Sequence, residues 1–204
     1  MRIVPFLQLS VFSLGTFAAF SLATQAGTNI PGFRAVTATL FRGGRPRNEA
    51  EMQLLVQKGI HTIVNLQGDA MQILPGEKPQ EIENARQMAE HFGLRFFHLP
   101  FVAGAKLDED GQKMVLEVVR VMEDPQLQPV YVHCNVGADR TGVAVAAFRI
   151  LHQNCSYDKA RAELIENGQL WTPLLTASQM SFLRDLAADP ARFSHPPSAA
   201  HCPL

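Results

Sequence analysis

The chain has 204 residues, of which 47% are hydrophobic, and its formal net charge at pH 7 is -1. That length suffices for one domain with a sizeable core. A net charge so close to zero gives no support to a nucleic-acid-binding protein or to one held on an anionic membrane surface.

The first 26 residues, MRIVPFLQLSVFSLGTFAAFSLATQA, have the layout of an export signal. One cation, Arg2, precedes an uncharged apolar run, and Thr24 and Ala26 occupy the positions that a signal peptidase reads. We expect a cleaved signal peptide, a mature domain over 27–204 in the periplasm, and no stable membrane insertion after cleavage. An uncleaved anchor over 3–23 is the alternative, which the polar residues within the run disfavour.

Beyond this segment, strand-like and helix-like stretches alternate, with a core over 33–188 and a Pro-rich tail after 190 that is expected to fray. In chain order they are an edge segment at 33–44, a helix from Asn48 to Gly59, a strand at 61–67, a helix at 81–93, a strand at 94–100, a helix from Met114 to Met122, a strand at 128–134, and helices at 141–154, 156–168 and 178–189. This alternation predicts an α/β fold with a central, mostly parallel sheet flanked by helices.

The sequence contains three cysteines, Cys134, Cys155 and Cys202. An odd number in an exported protein leaves at least one thiol unpaired within the monomer, or joins two chains. Cys134 is the candidate for a working thiol. Pairing of Cys155 with Cys202 is left open, because Cys155 is also compatible with a small buried side chain.

HCNVGADRTG, residues 133–142, follows the last predicted strand and begins a helix. Such a turn directs backbone N–H groups and the positive end of the helix at one point, which favours an anion. Gly137 permits the backbone torsions of this nest, and Gly142 permits close packing behind it. The candidate phosphate-binding residues are Asn135, Val136, Gly137, Ala138, Asp139, Arg140 and Thr141.

Two side chains of this turn, Arg140 and Cys134, indicate its reaction. Arg140 offers a planar fork of donors that matches two phosphate oxygens. Cys134 lies at the mouth of the nest, where a helix N-terminus and a nearby cation favour the thiolate. Thr141 is placed to donate a hydrogen bond to the sulfur. The expected reaction is attack of Cys134 on phosphorus and hydrolysis of the cysteinyl-phosphate by water, with neither a metal nor a cofactor.

The pattern HCxxGxxRTG resembles the signature of the cysteine-dependent protein tyrosine and dual-specificity phosphatase superfamily. The stretches LFRGGRP, GIHTIVNLQ, GLRFFHLPF and PVYVHCNVGADRTGVAVAAFRI resemble its compact bacterial dual-specificity-like branch. The resemblance covers residues 33–188 and implies a sheet of about four or five strands between helices.

The general acid has more than one candidate. Relatives usually supply an aspartate from the loop after the second strand, which here is FVAGAKLDEDG with Asp108 and Asp110. Asp108 also fits a helix N-cap. Asp139 is the alternative, because the ADRTG ending resembles a subset of these phosphatases, including lipid phosphatases, in which this aspartate is the acid.

Basic and imidazole side chains near the motif have two interpretations each. Arg42, Arg45 and Arg47 in FRGGRPR are expected to form a solvated face, with extra phosphate contacts as the alternative, and Lys106 shares that ambiguity. His133 is expected to fix the turn through backbone hydrogen bonds rather than to act as a base.

The substrate class stays open between phosphotyrosine or another phosphoprotein, phosphoinositides and soluble inositol phosphates. The variable positions of the turn carry no lysine, which argues against very highly charged ligands unless Arg42, Arg45 or Lys106 supply the charge. The alternatives from other classes are a rhodanese-like sulfurtransferase and a non-catalytic phosphate-binding module.

Overall fold

The computed structural model of the protein describes residues 30–68, 78–101, 107–168, 177–193 and 201–204. Within them, helices flank a five-stranded sheet, which confirms the predicted α/β class. The strands are β1 (Arg34–Ala35), β2 (Leu40–Gly43), β3 (Thr62–Asn65), β4 (Arg95–His98) and β5 (Val130–His133). The helices are α1 (Glu49–Gln57), α2 (Pro79–His91), α3 (Glu109–Glu123), α4 (Asp139–Leu151), α5 (Tyr157–Asn167) and α6 (Ala177–Ala188), and a 3-10 turn follows at Pro190–Phe193.

The strands have the order β1-β2-β5-β3-β4, and all neighbours are parallel except β1 and β2. The pairing register aligns the last residues of the four parallel strands, Gly43, His133, Asn65 and His98. We call this line the carboxyl edge. Ligands of open parallel sheets bind outside this edge, so the register determines which loops meet there.

The two faces of the sheet have separate cores. Tyr131 of β5 packs with residues of α1 and α2 on one face, whereas Val130 and Val132 pack with α3, α4 and α6 on the other. All 13 residues of α4 are buried, as its small and branched side chains predicted. α3 runs back from the end of β4 to the start of the parallel strand β5, and α4 directly follows the end of β5, so the N-termini of both helices lie at the carboxyl edge.

Three predictions need correction. The edge segment at 33–44 is two short antiparallel strands rather than one segment. The helix predicted to begin at Thr141 begins at Asp139 instead. The described parts of the tail are ordered rather than frayed, because a disulfide joins Cys202 to Cys155, and the backbone oxygen of Leu204 accepts a hydrogen bond from Lys159.

The predicted signal peptide, its membrane-anchor alternative and Lys106 lie outside the described residues. None of the helices in the described part of the chain is long and apolar enough to cross a bilayer.

Candidate active site

The loop between β5 and α4, residues 134–138, carries the candidate nucleophile at the carboxyl edge, and we call it the phosphate loop. Cys134 is a free cysteine with 3% of its surface exposed. Arg140 lies in the first turn of α4 and is 2% exposed. The predicted pair is therefore enclosed within one strand-to-helix turn.

The carbonyl groups of the phosphate loop face β2 and the turn that follows it. Asn135 O accepts from the backbone N–H of Arg45 (3.1 Å), and Gly137 O accepts from Nη2 of Arg42 (2.8 Å). Because C=O and N–H point in opposite directions across a trans peptide, the N–H groups of Val136 and Ala138 face away from β2. The N–H groups of residues 135–138 donate to no other described residue. The loop thus presents unpaired donors, as an anion nest requires.

Gly137 allows the phosphate loop to contact β2 directly. Its φ of +79° lies in the left-handed region. A Cβ atom added there would lie 2.3 Å from the carbonyl carbon of Gly43 and 2.7 Å from the nitrogen of Gly44, and both are backbone atoms. Behind the loop, a Cβ atom on Gly142 would approach Leu164 to 3.3 Å. The predicted roles of the two motif glycines agree with these contacts.

The Arg42 side chain is buried and binds backbone carbonyl groups of the phosphate loop. Neither interpretation of its sequence predicted this role. Only 1% of its surface is exposed, so it belongs neither to a solvated face nor to a phosphate-contacting surface. Its Nη2 donates to Gly137 O, and at 3.5 Å to Ala138 O. Burial lowers the pKa of Arg42 to about 10, which leaves the guanidinium charged at neutral pH.

Arg140 is positioned through the neighbouring strand. Its Nη1 donates to Leu66 O (3.2 Å), directly after β3. Leu66 is itself attached to β5, because its N–H donates to His133 O (2.9 Å). The guanidinium is therefore fixed beside the end of β5, one residue from Cys134.

His133 has the structural role that its position predicted. The ring stacks on Tyr131 with 5.6 Å between centroids, and Nδ1 lies 3.0 Å from Cys134 O. Burial lowers the pKa of His133 to about 4, and the positive charges of Arg140 and Arg45 act in the same direction. The neutral imidazole therefore carries its proton on Nδ1 and donates it to the backbone.

Thr141 does not make its predicted contact. The residue is fully buried, and its hydroxyl oxygen has no hydrogen-bond partner among the described residues. It lies buried in the first turn of α4. The expected hydrogen bond to the Cys134 sulfur is absent from this structure.

The three candidate acids differ in exposure and in hydrogen bonding. Asp108 is an exposed N-cap of α3, and its Oδ1 accepts from Gly111 N (2.9 Å). Asp110 is exposed two residues further on and pairs with Lys113. Asp139 is buried beside Arg140, and its Oδ1 has no partner in the described part of the chain. Partial burial raises the pKa of Asp139 to about 6, against smaller lowering effects of its own backbone and of Arg140.

Sequence reasoning missed three residues at the carboxyl edge. Gly44 leaves room for the phosphate loop, because an added Cβ atom would lie 3.0 Å from Asn135 O, and Gly43 leaves room for the Tyr131 hydroxyl. Asn65 ends β3 fully buried. Asn65 Oδ1 accepts from Gln67 N (2.8 Å), which shapes the backbone that binds Arg140. Two features of the sequence could have indicated these residues: the double glycine in FRGG, and a polar residue at the end of an apolar strand.

No cluster of three or more histidine, cysteine, aspartate or glutamate side chains in the described ranges is arranged to hold a metal ion.

The sequence model of a family described as "DSP-PTPase phosphatase fused to NAD+ Kinase" matches residues 15–180, which is most of the chain. The chain belongs to this family. It is a cysteine-based phosphatase of the dual-specificity type. No curated protein sequence matches it.

Solved structures share the fold of this phosphatase. The catalytic domain of the PP-IP phosphatase SIW14 from S. cerevisiae is 21% identical with a TM-score of 0.60, over 80% of this chain and 89% of that one. TpbA from P. aeruginosa is 21% identical with a TM-score of 0.53, over 78% and 91%. PTPMT1 is 19% identical with a TM-score of 0.54, over 79% and 98%. At these identities the likeness concerns the fold.

Proposed function

We propose that the chain hydrolyses phosphomonoesters through a cysteinyl-phosphate formed on Cys134. The observation that carries this proposal is the phosphate loop, which joins a free cysteine to the fixed guanidinium of Arg140 and whose backbone N–H groups donate to no other described residue. Such donors stabilise the charge on the equatorial oxygens of a transferring phosphoryl group without reorganisation.

In the first step, the Cys134 thiolate attacks phosphorus in line with the leaving oxygen. The S–P bond forms as the P–O bond to the alcohol or phenol breaks. Asp139 donates its proton to that oxygen, so the first product departs neutral. The loop amides and Arg140 hold the three remaining phosphoryl oxygens, and no metal ion is required.

In the second step, water attacks phosphorus and the S–P bond breaks. The carboxylate of Asp139 takes the proton of the attacking water, which restores the acid. Inorganic phosphate leaves and the thiolate of Cys134 is regenerated. Each turnover thus consumes one water and returns every group to its starting state.

Asp139 is the better-supported acid for two reasons. Its raised pKa of about 6 leaves a protonated fraction at neutral pH, and its Oδ1, which has no partner among the described residues, lies in the first turn of α4 directly after the phosphate loop. Asp108 is exposed, and one of its oxygens already caps α3. Its helix nevertheless begins at the carboxyl edge, so Asp108 stays a candidate for the test below.

The substrate candidates divide into phosphotyrosine proteins and phosphorylated inositols. SIW14 is named a PP-IP phosphatase, and TpbA has been crystallised in complex with phosphotyrosine. We also propose that the chain is exported to the periplasm. The disulfide between Cys155 and Cys202 supports export, because disulfides persist mainly outside the cytoplasm.

The test is a panel of phosphotyrosine peptide, phosphoinositide and inositol phosphate, with Cys134→Ser as the control. We expect turnover that the serine variant lacks while it still binds ligand. Binding without turnover by the unchanged protein would support a phosphate-binding module instead. A rhodanese-like activity would appear as transfer of sulfur from thiosulfate to cyanide.

The acid is assigned from the pH dependence of kcat/KM in Asp139→Asn and Asp108→Asn. Loss of the proton from Asp139 should lower the rate as the pH rises above about 6. Asp139→Asn should lose this dependence and roughly 10²–10⁴-fold in rate on alkyl phosphates. Asp108→Asn keeps a good N-cap residue, so it tests catalysis without removing the cap. Using one substrate throughout cancels the titration of the phosphate group itself.

A further inference from the structure

A polar cavity lies beside the phosphate loop. It has a volume of about 260 Å³, on the face of the sheet that α1 and α2 cover. Its polar lining consists of Arg45, Arg47, Gln67, Glu81, Asn84 and His133. Complete small-molecule sites usually measure about 300–1,000 Å³, so this cavity suits one group of a larger ligand rather than a ligand of its own.

The turn that carries the two arginines is fixed to the phosphate loop. Arg45 N donates to Asn135 O (3.1 Å), and the Tyr131 hydroxyl donates to Gly44 O (2.5 Å). On the other side, Arg47 N donates to Glu51 Oε2 (2.7 Å) in α1. A ligand group in the cavity would therefore occupy a defined position relative to a phosphoryl group on Cys134.

The cavity attracts negative charge. Neither Arg45 nor Arg47 forms an ion pair with any described residue, and the Arg45 Nε atom is buried without a hydrogen-bond partner. Glu81 is the carboxylate among the lining residues, and its Oε2 accepts from Lys78 N (3.3 Å). With His133 neutral, the charged residues of the described lining are two arginines and one glutamate.

The remaining lining favours a polyol over a peptide. The Asn84 Oδ1 accepts from Gln80 Nε2 (3.0 Å), and its NH₂ group, which donates to no described residue, offers donors for a hydroxyl. None of the described residues that line the cavity carries a phenyl, phenol or indole ring against which an aromatic phosphoamino acid could pack. Arg42 is buried beneath the loop, so Arg45 and Arg47 are the arginines of FRGGRPR that remain for a ligand.

We propose that Arg45 and Arg47 bind a second phosphate of the substrate, which is a small polyol carrying at least two phosphates. This proposal rests on the proposed function, because the first phosphate must occupy the phosphate loop. The polyol is either a soluble inositol phosphate or the headgroup of an inositol lipid, and both carry the same chemistry.

The experiment compares kcat/KM for three substrates, namely soluble inositol 4,5-bisphosphate, phosphatidylinositol 4,5-bisphosphate in phosphatidylcholine vesicles, and inositol 4-monophosphate. The variants are Arg45→Gln, Arg47→Gln and the double variant. Arg161→Gln is the matched control, because it removes the same charge from an exposed site on α5. Thermal melts verify that each variant is folded.

We expect the unchanged protein to prefer a bisphosphate over the monophosphate, and the double variant to lose roughly tenfold or more of that preference. The control should keep the preference in full. The bisphosphate that shows the arginine-dependent preference identifies the source as soluble or lipid. Equal rates on all three substrates, or a preference that survives the double variant, would overturn the second site while leaving phosphatase activity intact. Absence of turnover on every phosphomonoester would instead overturn the proposed function.

Discussion

Replacing Gly137 by alanine tests the contact between the phosphate loop and β2. The new Cβ atom would lie 2.3 Å from the carbonyl carbon of Gly43, a backbone atom of a paired strand that cannot rotate away. Gly59→Ala is the matched control. Gly59 has nearly the same φ, +75° against +79°, and an added Cβ atom there meets nothing within 4 Å. The difference between the two variants therefore isolates the steric contact from the backbone strain.

The left-handed conformation should cost about 1–2 kcal/mol in either variant. Overpacking should add about 1–3 kcal/mol for Gly137→Ala alone. Urea unfolding measures both free energies of unfolding. A displacement of the loop by about 1 Å should also lower kcat/KM roughly 10²-fold, whereas Gly59→Ala should keep its activity. Equal stability of the two variants, with full activity in both, would refute the proposed close approach.

Three further predictions concern other contacts. Arg42→Lys cannot reproduce the contacts to Gly137 O and Ala138 O, so urea unfolding should show a loss of about 1–3 kcal/mol together with a lower kcat/KM; unchanged values would remove Arg42 from the support of the loop. Replacing both Cys155 and Cys202 by serine opens a link over 47 residues and should cost about 4 kcal/mol in urea unfolding, with kcat/KM retained because the link lies at the opposite end of α4 from the site; a loss below about 1 kcal/mol would contradict this. Because the folded pKa of Asp139 is raised, its ionisation opposes folding as the pH rises from about 4 to 6, so Asp139→Asn should melt above the unchanged protein at pH 8 and level with it at pH 4; a pH-independent difference would argue against the raised pKa.

The order of elements and the position of the site were predictable because they depend on local patterns. The run at 61–67 and the small-residue helix after Cys134 each have one strong local interpretation. The parallel arrangement then places HCNVGADRTG at the carboxyl edge. The roles of Gly137 and His133 followed from the geometry of a single turn.

The features that the sequence did not predict depend on contacts between residues that are far apart in the chain. Arg42 looked like part of a charged surface, because the carbonyl that it binds lies 95 residues away. The disulfide between Cys155 and Cys202 likewise depends on a contact between residues 47 positions apart. The start of α4 at Asp139 was missed since Ala138 provides no side-chain cap hydrogen bond that would mark it.

The most direct test of the account is to find the phosphate on the protein during turnover. Asp139→Asn should accumulate the intermediate with p-nitrophenyl phosphate, because this leaving group needs no acid while the attack of water still lacks its base. After a rapid denaturing quench, mass spectrometry of the proteolysed variant should place one phosphate on Cys134. A phosphate on another side chain, or none in a variant that continues to release nitrophenol, would contradict the central claim.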